Sequence, residues 1–350
     1  MNSASVMETR TAQATANRTK KTSDVAKAVL DGLCRKEKYL PSWLFYDAAG
    51  SRLFEAITRL PEYYLTVLEH SIFSQHAEEM IAAAAGPQNE PLTVLELGAG
   101  SASKTLVLLR ALIARQGRAM YLPVDVSEAA LQSAIKNVQA ALPVVEVQPI
   151  CSEITQEKFL ELPQAGRRLA LYIGSSIGNF DAEDAIELLQ WLHSQLKPGD
   201  ALLLGTDMVK DASPLLAAYN DQSGVTAAFN MNILARLNRE LGAKFPLDAF
   251  EHRAIWNAAK SRMEMHLDSK RNQTVRVDSL HRSFEFRRGE SIHTENSYKF
   301  TSEDVADMLM KSGFALEQSW YDADRWFGVH LARVVDSATM MDDDAARKAA

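Results

Sequence analysis

The chain has 350 residues, a length that suits about two domains with separate cores. Its 47% hydrophobic and 24% charged residues are those of a folded globular protein. A formal charge of -7 argues against a nucleic-acid partner, which needs clustered Lys and Arg, and favours a small substrate. Cys34 and Cys151 form no paired spacing, so neither a zinc-ligand set nor a disulfide framework is expected, and a reducing cytoplasm fits. No apolar run approaches the roughly 18 residues that span a bilayer. No membrane association and no obligate protein partner is expected.

In chain order, residues 1–22 carry Arg10, Arg18, Lys20 and Lys21 but no apolar core, and read as a disordered tail rather than a leader peptide. From residue 93 short apolar runs alternate with helical ones, the pattern of a parallel sheet covered by helices. Five strands are expected: Thr93 to Leu97, Met120 to Val124, Val144 to Pro149, Leu169 to Ile173 and Ala201 to Gly205. A helix fits Ser103 to Arg115, Asp181 is a candidate N-cap, and Pro198-Gly199 stops a helix before the fifth strand. The alternation breaks at helix-like Leu215 to Leu241 and strand-like pieces at Met263 to Leu267, Thr274 to Val277 and Ser283 to Arg287. After a helix at Ser302 to Ser312, Ala315 to Tyr321 and Phe327 to Val334 form a closing hairpin-like pair. The expected fold is α/β, a doubly wound seven-stranded sheet with a second, α+β domain formed by the N-terminal segment and an insertion after strand five. Residues 71–208 plus 300–335 make up the first domain and 23–70 plus 209–299 the substrate-recognition domain, with a second tail at 336–350.

In such a sheet a ligand binds beyond the carboxyl ends of the strands, where strand order reverses. The turn there is Gly98-Ala99-Gly100, whose glycines admit close backbone approach and whose following helix offers free N–H groups to an anion. The carboxylate of S-adenosyl-L-methionine fits that position, with Lys104 adding a point charge. A dinucleotide would need a third glycine where Ser103 stands. Asp125, ending the second strand, lies where ribose hydroxyls would be, although it also has the chemistry of a helix-capping acid; Ser127 is the expected N-cap. Asn179 ends the fourth strand's Gly174-Ser175-Ser176-Ile177-Gly178-Asn179-Phe180 segment. Its neutral amide suits an amine or carboxylate near a sulfonium, and equally suits a turn former.

These segments, with Tyr46-Asp47-Ala48-Ala49-Gly50-Ser51-Arg52-Leu53-Phe54, Leu60-Pro61-Glu62-Tyr63-Tyr64-Leu65-Thr66, Glu96-Leu97-Gly98, Ala218-Tyr219-Asn220-Asp221, Gly224 to Asn230 and Glu264-Met265-His266, resemble the histidine-specific N-alpha-methyltransferase family of ergothioneine biosynthesis from about residue 38 to 334. The resemblance implies a sheet of the class I methyltransferase type and three successive methyl transfers from S-adenosyl-L-methionine to the α-amine of L-histidine, giving hercynine, with no metal. It places Tyr46, Gly98, Lys104 and Asp125 at the cofactor and Asn179 and Tyr219 at the amino acid's amine and carboxylate. Tyr46 and Asn179 are the catalytic candidates. It sets Tyr63 near the substrate side chain, Glu295 and Ser297 on the imidazole, and Gly174, Phe54 and Met265 in the pocket wall. Near the adenine the family's Asp-Phe pair is matched here by Glu153-Ile154, a departure that loses an aromatic face. Glu295 favours an imidazole, since an unpaired carboxylate buried against an indole is costly. The alternatives are another free amino acid, such as a tryptophan derivative, and a non-enzymatic adenosylmethionine sensor.

Overall fold

The computed structural model describes residues 23–88, 90–152 and 166–335, and the expected tails and the Glu153-Ile154 pair lie outside them. The described chain divides into two compact units. Residues up to Ile57, Leu216–Trp256 and Met263–Glu295 form the first; Thr58–Leu215, Asn257–Arg262 and the residues from Asn296 onward form the second. No helix among the described residues is long and apolar enough to cross a membrane.

The second unit is built on one sheet. Its strands are β1 (Leu92–Leu97), β2 (Ala119–Asp125), β3 (Val145–Val147), β4 (Ile150–Cys151), β5 (Arg167–Tyr172), β6 (Ala201–Asp207), β7 (Phe314–Tyr321) and β8 (Phe327–Val334). They lie in the order β7-β8-β6-β5-β1-β2-β3, with β4 also pairing β2. Leu95 stands opposite Leu122 on one side and Ala170 on the other, both pairings parallel, so strand order reverses at β1. Every residue of β1 and β6 is buried, as expected of strands covered on both faces, including the polar Glu96 and Asp207. β8 runs antiparallel to β6 and β7, closing the sheet as the hairpin pattern indicated. The expected strand Val144 to Pro149 is instead two short ones, because Pro149 has no N–H to give a ladder. Leu122, Leu189, Leu204 and Leu309 anchor the core of this unit. Its helices are α1 (Tyr64–Ala85), α2 (Thr105–Gln116), α3 (Glu128–Ala141), α4 (Ala182–Ser194) and α5 (Ser302–Lys311).

The first unit contains the helix Ala48–Ile57, the helix Val225–Leu241 and the antiparallel pair Gln273–Val277 and Arg282–Phe286. It also carries most of a four-stranded sheet ordered Lys38–Tyr39, Ser291–Tyr298, Arg262–Ser269, Phe250–Asn257. The helix-like run Leu215 to Leu241 is two helices, Ala212–Tyr219 and Val225–Leu241. Asp221 separates them and accepts from the N–H groups of Val225 at 3.0 Å and Thr226 at 2.7 Å. Burial pushes its carboxyl up, but the hydrogen bonds from Ser223, Thr226 and Val225 outweigh it and hold it well below the usual carboxylate range.

Candidate functional site

At the carboxyl end of β1, Gly98 and Gly100 take φ of +69° and +53°, and a Cβ at either would meet nothing within 4 Å. Backbone conformation, with open space beside it, selects glycine here. The turn is fixed to the next strand: Gly98 N–H donates to the Val124 carbonyl at 2.8 Å, and Gly100 N–H to Asp125 Oδ2 at 2.9 Å. Asp125 Oδ1 accepts from Ser127 N–H at 2.8 Å, and burial pushes its carboxyl up. Ser127 caps α3 through Ala130 N–H, as expected. Asp125 therefore ties the turn to the residue that caps α3, while the cap itself is Ser127. Each Asp125 oxygen keeps a second lone pair for a ligand hydroxyl. The open cradle at Gly98 and Gly100, the amino end of α2 and the Asp125 carboxylate fit the carboxylate and ribose of adenosylmethionine.

Lys104 is the residue before α2 rather than in its first turn. Its ammonium is paired with Glu69, a carboxylate of α1 with no exposed surface, so it is not the isolated point charge expected of it. Glu69 Oε1 also accepts the Gly174 N–H at 2.7 Å. Gly205 on β6 leaves room for that carboxylate, since a Cβ there would lie 2.3 Å from Glu69 Oε1. One buried acid thus joins the position expected to bind cofactor, Lys104, to one expected to wall the substrate pocket, Gly174.

Asn179 ends a single 3-10 turn, Ser176–Asn179, after β5. The turn is held by the Ser175 hydroxyl, which accepts from Asp207 N–H at 2.9 Å. Asn179 is half-buried. Ser297, 3% exposed, lies on the strand Ser291–Tyr298 and accepts a hydrogen bond of 2.8 Å from Lys299 Nζ. Tyr63, 9% exposed, sits just before α1. Asp181 does stand at the amino end of α4, yet its carboxylate does not cap it. It accepts instead from the Tyr298 hydroxyl at 2.8 Å.

In the first unit Tyr46 and Phe54 gather around Phe229, each ring 5.9 Å from it and 5.8 Å from each other. The next residue, Asn230, organises the rest. Its amide donates to His252 Nδ1 at 2.9 Å and to the His266 carbonyl at 3.0 Å, and its oxygen accepts from the Thr294 hydroxyl at 2.8 Å. His252 in turn donates from Nε2 to the Tyr219 carbonyl at 2.9 Å, which makes it the neutral tautomer, consistent with burial pushing its pKa down. The single Thr294 hydroxyl proton is shared with the Met265 carbonyl at 3.0 Å. Its hydroxyl is therefore spent on the helix and the neighbouring strand. By the two-residue period of a strand, Glu295 points to the face opposite Thr294 and shares that face with Ser297.

Glu69, Asp207, Asn230, His252 and Lys299 were not singled out from sequence. A signal existed for Glu69, an acid at helical spacing among Leu65, Ile72 and Phe73 on the buried face of α1. His252 lies on a strand without clear alternation and offered none. Glu264, His266 and His293 place potential metal donors within 4.8 Å of one another. The two imidazoles are stacked at 4.7 Å and 18°, however, and in-plane lone pairs of nearly parallel rings do not converge on one ion.

Compared with known proteins, residues 25–334 match the family model described as histidine-specific methyltransferase, SAM-dependent. The chain is 44% identical over 301 residues to the histidine N-alpha-methyltransferase of Mycolicibacterium smegmatis, covering 86% of this chain and 92% of that protein. It is 41% identical over 304 residues to the protein of the same name from Mycobacterium tuberculosis, covering 87% and 93%. Ergothioneine biosynthesis protein 1 of Schizosaccharomyces pombe is 31% identical over 289 residues, covering 80% of this chain and 37% of that protein.

Proposed function

Because the chain belongs to the SAM-dependent, histidine-specific methyltransferase family, we propose that it transfers three methyl groups in succession from S-adenosyl-L-methionine to the α-amine of L-histidine. The product is hercynine, and the reaction opens ergothioneine biosynthesis. The observation that carries this reading is the junction at the carboxyl ends of β1, β2 and β5. There an adenosine-type cradle of Gly98, Gly100 and Asp125 and the Lys104–Glu69 pair are tied through Gly174 to the turn that bears Asn179. The names of the two mycobacterial relatives support the acceptor, and that of the fission-yeast relative the pathway.

In this reading Gly98, Lys104, Asp125 and Tyr46 hold the cofactor, with Glu153 and Ile154 at the adenine. Asn179 and Tyr219 hold the amine and carboxylate of histidine, Glu295 and Ser297 its imidazole. Gly174, Phe54 and Met265 bound the pocket, with Tyr63 beside the side chain. Substrate recognition falls to residues 23–70 with 209–299 and cofactor binding to 71–208 with 300–335. Cys34 and Cys151 are exposed and form no disulfide, which suits a cytoplasmic enzyme.

Adenosylmethionine supplies an electrophilic methyl on a positively charged sulfur. The protein's share is to align a free amine lone pair with that methyl and keep water out. Asn179 Oδ1 accepts an amine N–H while the lone pair faces the methyl, without adding a charge or a competing nucleophile. A neutral dimethylamine has no N–H left, so in the third transfer Asn179 can act only through its Nδ2 contact to the substrate carboxylate, beside Tyr219. Tyr46 orients the amine or passes its proton to water.

Purified protein, adenosylmethionine and either L-histidine or its N-alpha-acetyl derivative test the position of transfer. Mass spectrometry is expected to find three methyls on the α-nitrogen of histidine and none on the acetylated compound. Methylation of the acetylated compound, or of the imidazole ring, contradicts the reading.

A further inference from the structure

Asp207, at the end of β6, has no exposed surface, and two lysines are paired with its carboxylate. Lys299 Nζ lies 2.8 Å from Oδ2, and Lys210 is ion-paired with Oδ1. The Tyr64 hydroxyl donates to the same carboxylate at 2.8 and 3.0 Å. Lys210 is further accommodated over the Tyr64 ring, 4.6 Å from its centroid. Both lysines are buried, their side chains 3% and 0% exposed. Two buried ammonium groups thus share the Asp207 carboxylate, and the Asp322 charge also favours the ammonium of Lys210.

What Lys299 adds is its bond to Ser297. An ammonium has donors and no lone pair, so Ser297 Oγ is necessarily the acceptor in that 2.8 Å contact, and its proton points away from Lys299. Donation from a cation also polarises the hydroxyl, strengthening it as a donor on its other side. Lys299 itself is fixed at both ends, by Asp207 at its ammonium and by its backbone N–H on the Ser261 carbonyl at 2.7 Å.

We infer that Lys299 is a positioning residue that turns the Ser297 hydroxyl into a dedicated donor, so that the side chain it reads must present a bare ring nitrogen. This rests on the reading that Ser297 and Glu295 contact the substrate's imidazole. With Glu295 limited to accepting, the pair selects a neutral imidazole with one N–H and one lone pair. An imidazolium, which has two N–H groups, meets a donor and a nearby cation at Ser297.

A double-mutant cycle separates this from a merely structural role. Steady-state kinetics with histidine are measured for Ser297→Ala, Lys299→Met and the double variant, with cofactor affinity by calorimetry. Lys299→Met leaves Asp207 paired with Lys210, so the variant retains a balanced buried pair. Each single variant is expected to raise the KM for histidine about 5- to 10-fold, the worth of one hydrogen bond, and the double no further than either. Cofactor affinity is expected to stay within about twofold, and Lys210→Met to leave the KM unchanged. Single-variant factors that multiply in the double overturn the inference while the Ser297 reading stands, and so does an equal rise with Lys210→Met. An unchanged KM in Ser297→Ala overturns the Ser297 reading itself. An analogue whose bare ring nitrogen is replaced by C–H needs no lysine variant. It is expected to lose about the same 5- to 10-fold against the unmodified protein and nothing against Ser297→Ala; equal binding to the unmodified protein shows that Ser297 does not donate.

Discussion

At Glu96, two residues before the turn that shapes the cofactor cradle, Thr105 and Tyr121 hydroxyls converge on a carboxylate that is 2% exposed. Burial pushes its pKa from 4.5 up to about 7, against the pull of those two donors and of Lys104. A folded-state value above the unfolded one means that folding takes up a proton between these limits. The group's contribution is full below pH 4.5 and is lost as pH rises through 7. Glu96→Gln is therefore expected to flatten the pH dependence of stability, gaining on the parent by up to about 3 kcal/mol between pH 5 and pH 8, at about 1.4 kcal/mol per pH unit. Urea midpoints at the two pH values check this, and parallel slopes refute it. At this scale the sequence was readable where a motif constrains the backbone, as at Gly98 and Asp125. It was not readable where a charge is buried by distant contacts. Lys104 looked like a lone charge because its partner Glu69 lies 35 positions earlier, and nothing local to Ser297 announced that Asp207 would hold Lys299 against it.

The turn bearing Asn179 packs backbone to backbone. A Cβ on Gly178 would lie 2.8 Å from the Tyr298 carbonyl oxygen, closer than any real Cβ contact, and neither backbone segment is a flexible side chain that can move aside. Gly178→Ala is expected to displace Asn179, raising the KM for histidine about tenfold and lowering stability by about 1 to 3 kcal/mol, with cofactor affinity retained. Kinetics with calorimetric cofactor titration read the split; an unchanged KM would show that this packing does not place Asn179. The strands of the second unit were legible because strands buried on both faces are mainly apolar, even with Glu96 and Asp207 among them. The strand Ser291–Tyr298 escaped notice for the opposite reason: its buried positions include Thr294, Glu295 and Ser297, so polar residues stand where alternation would demand apolar ones. Phe250–Asn257 is mostly half-buried and shows no period of two.

Across the whole molecule, the length favoured two domains, and the break in alternation after the fifth strand marked where the second begins. The described chain divides into two compact units, with boundaries near 57 and 216. The doubly wound sheet follows from patterning alone, and the family from the motifs together. The proposed choice of histidine among free amino acids rests on Glu295 and Ser297, which share one face of a strand. Their selectivity is measured most directly by offering the purified protein and adenosylmethionine an equimolar panel of free amino acids, tryptophan included, and reading the products by mass. Three methyls on histidine, with every other amino acid unchanged, is the predicted result. Methylation of tryptophan or another amino acid in preference to histidine would contradict it.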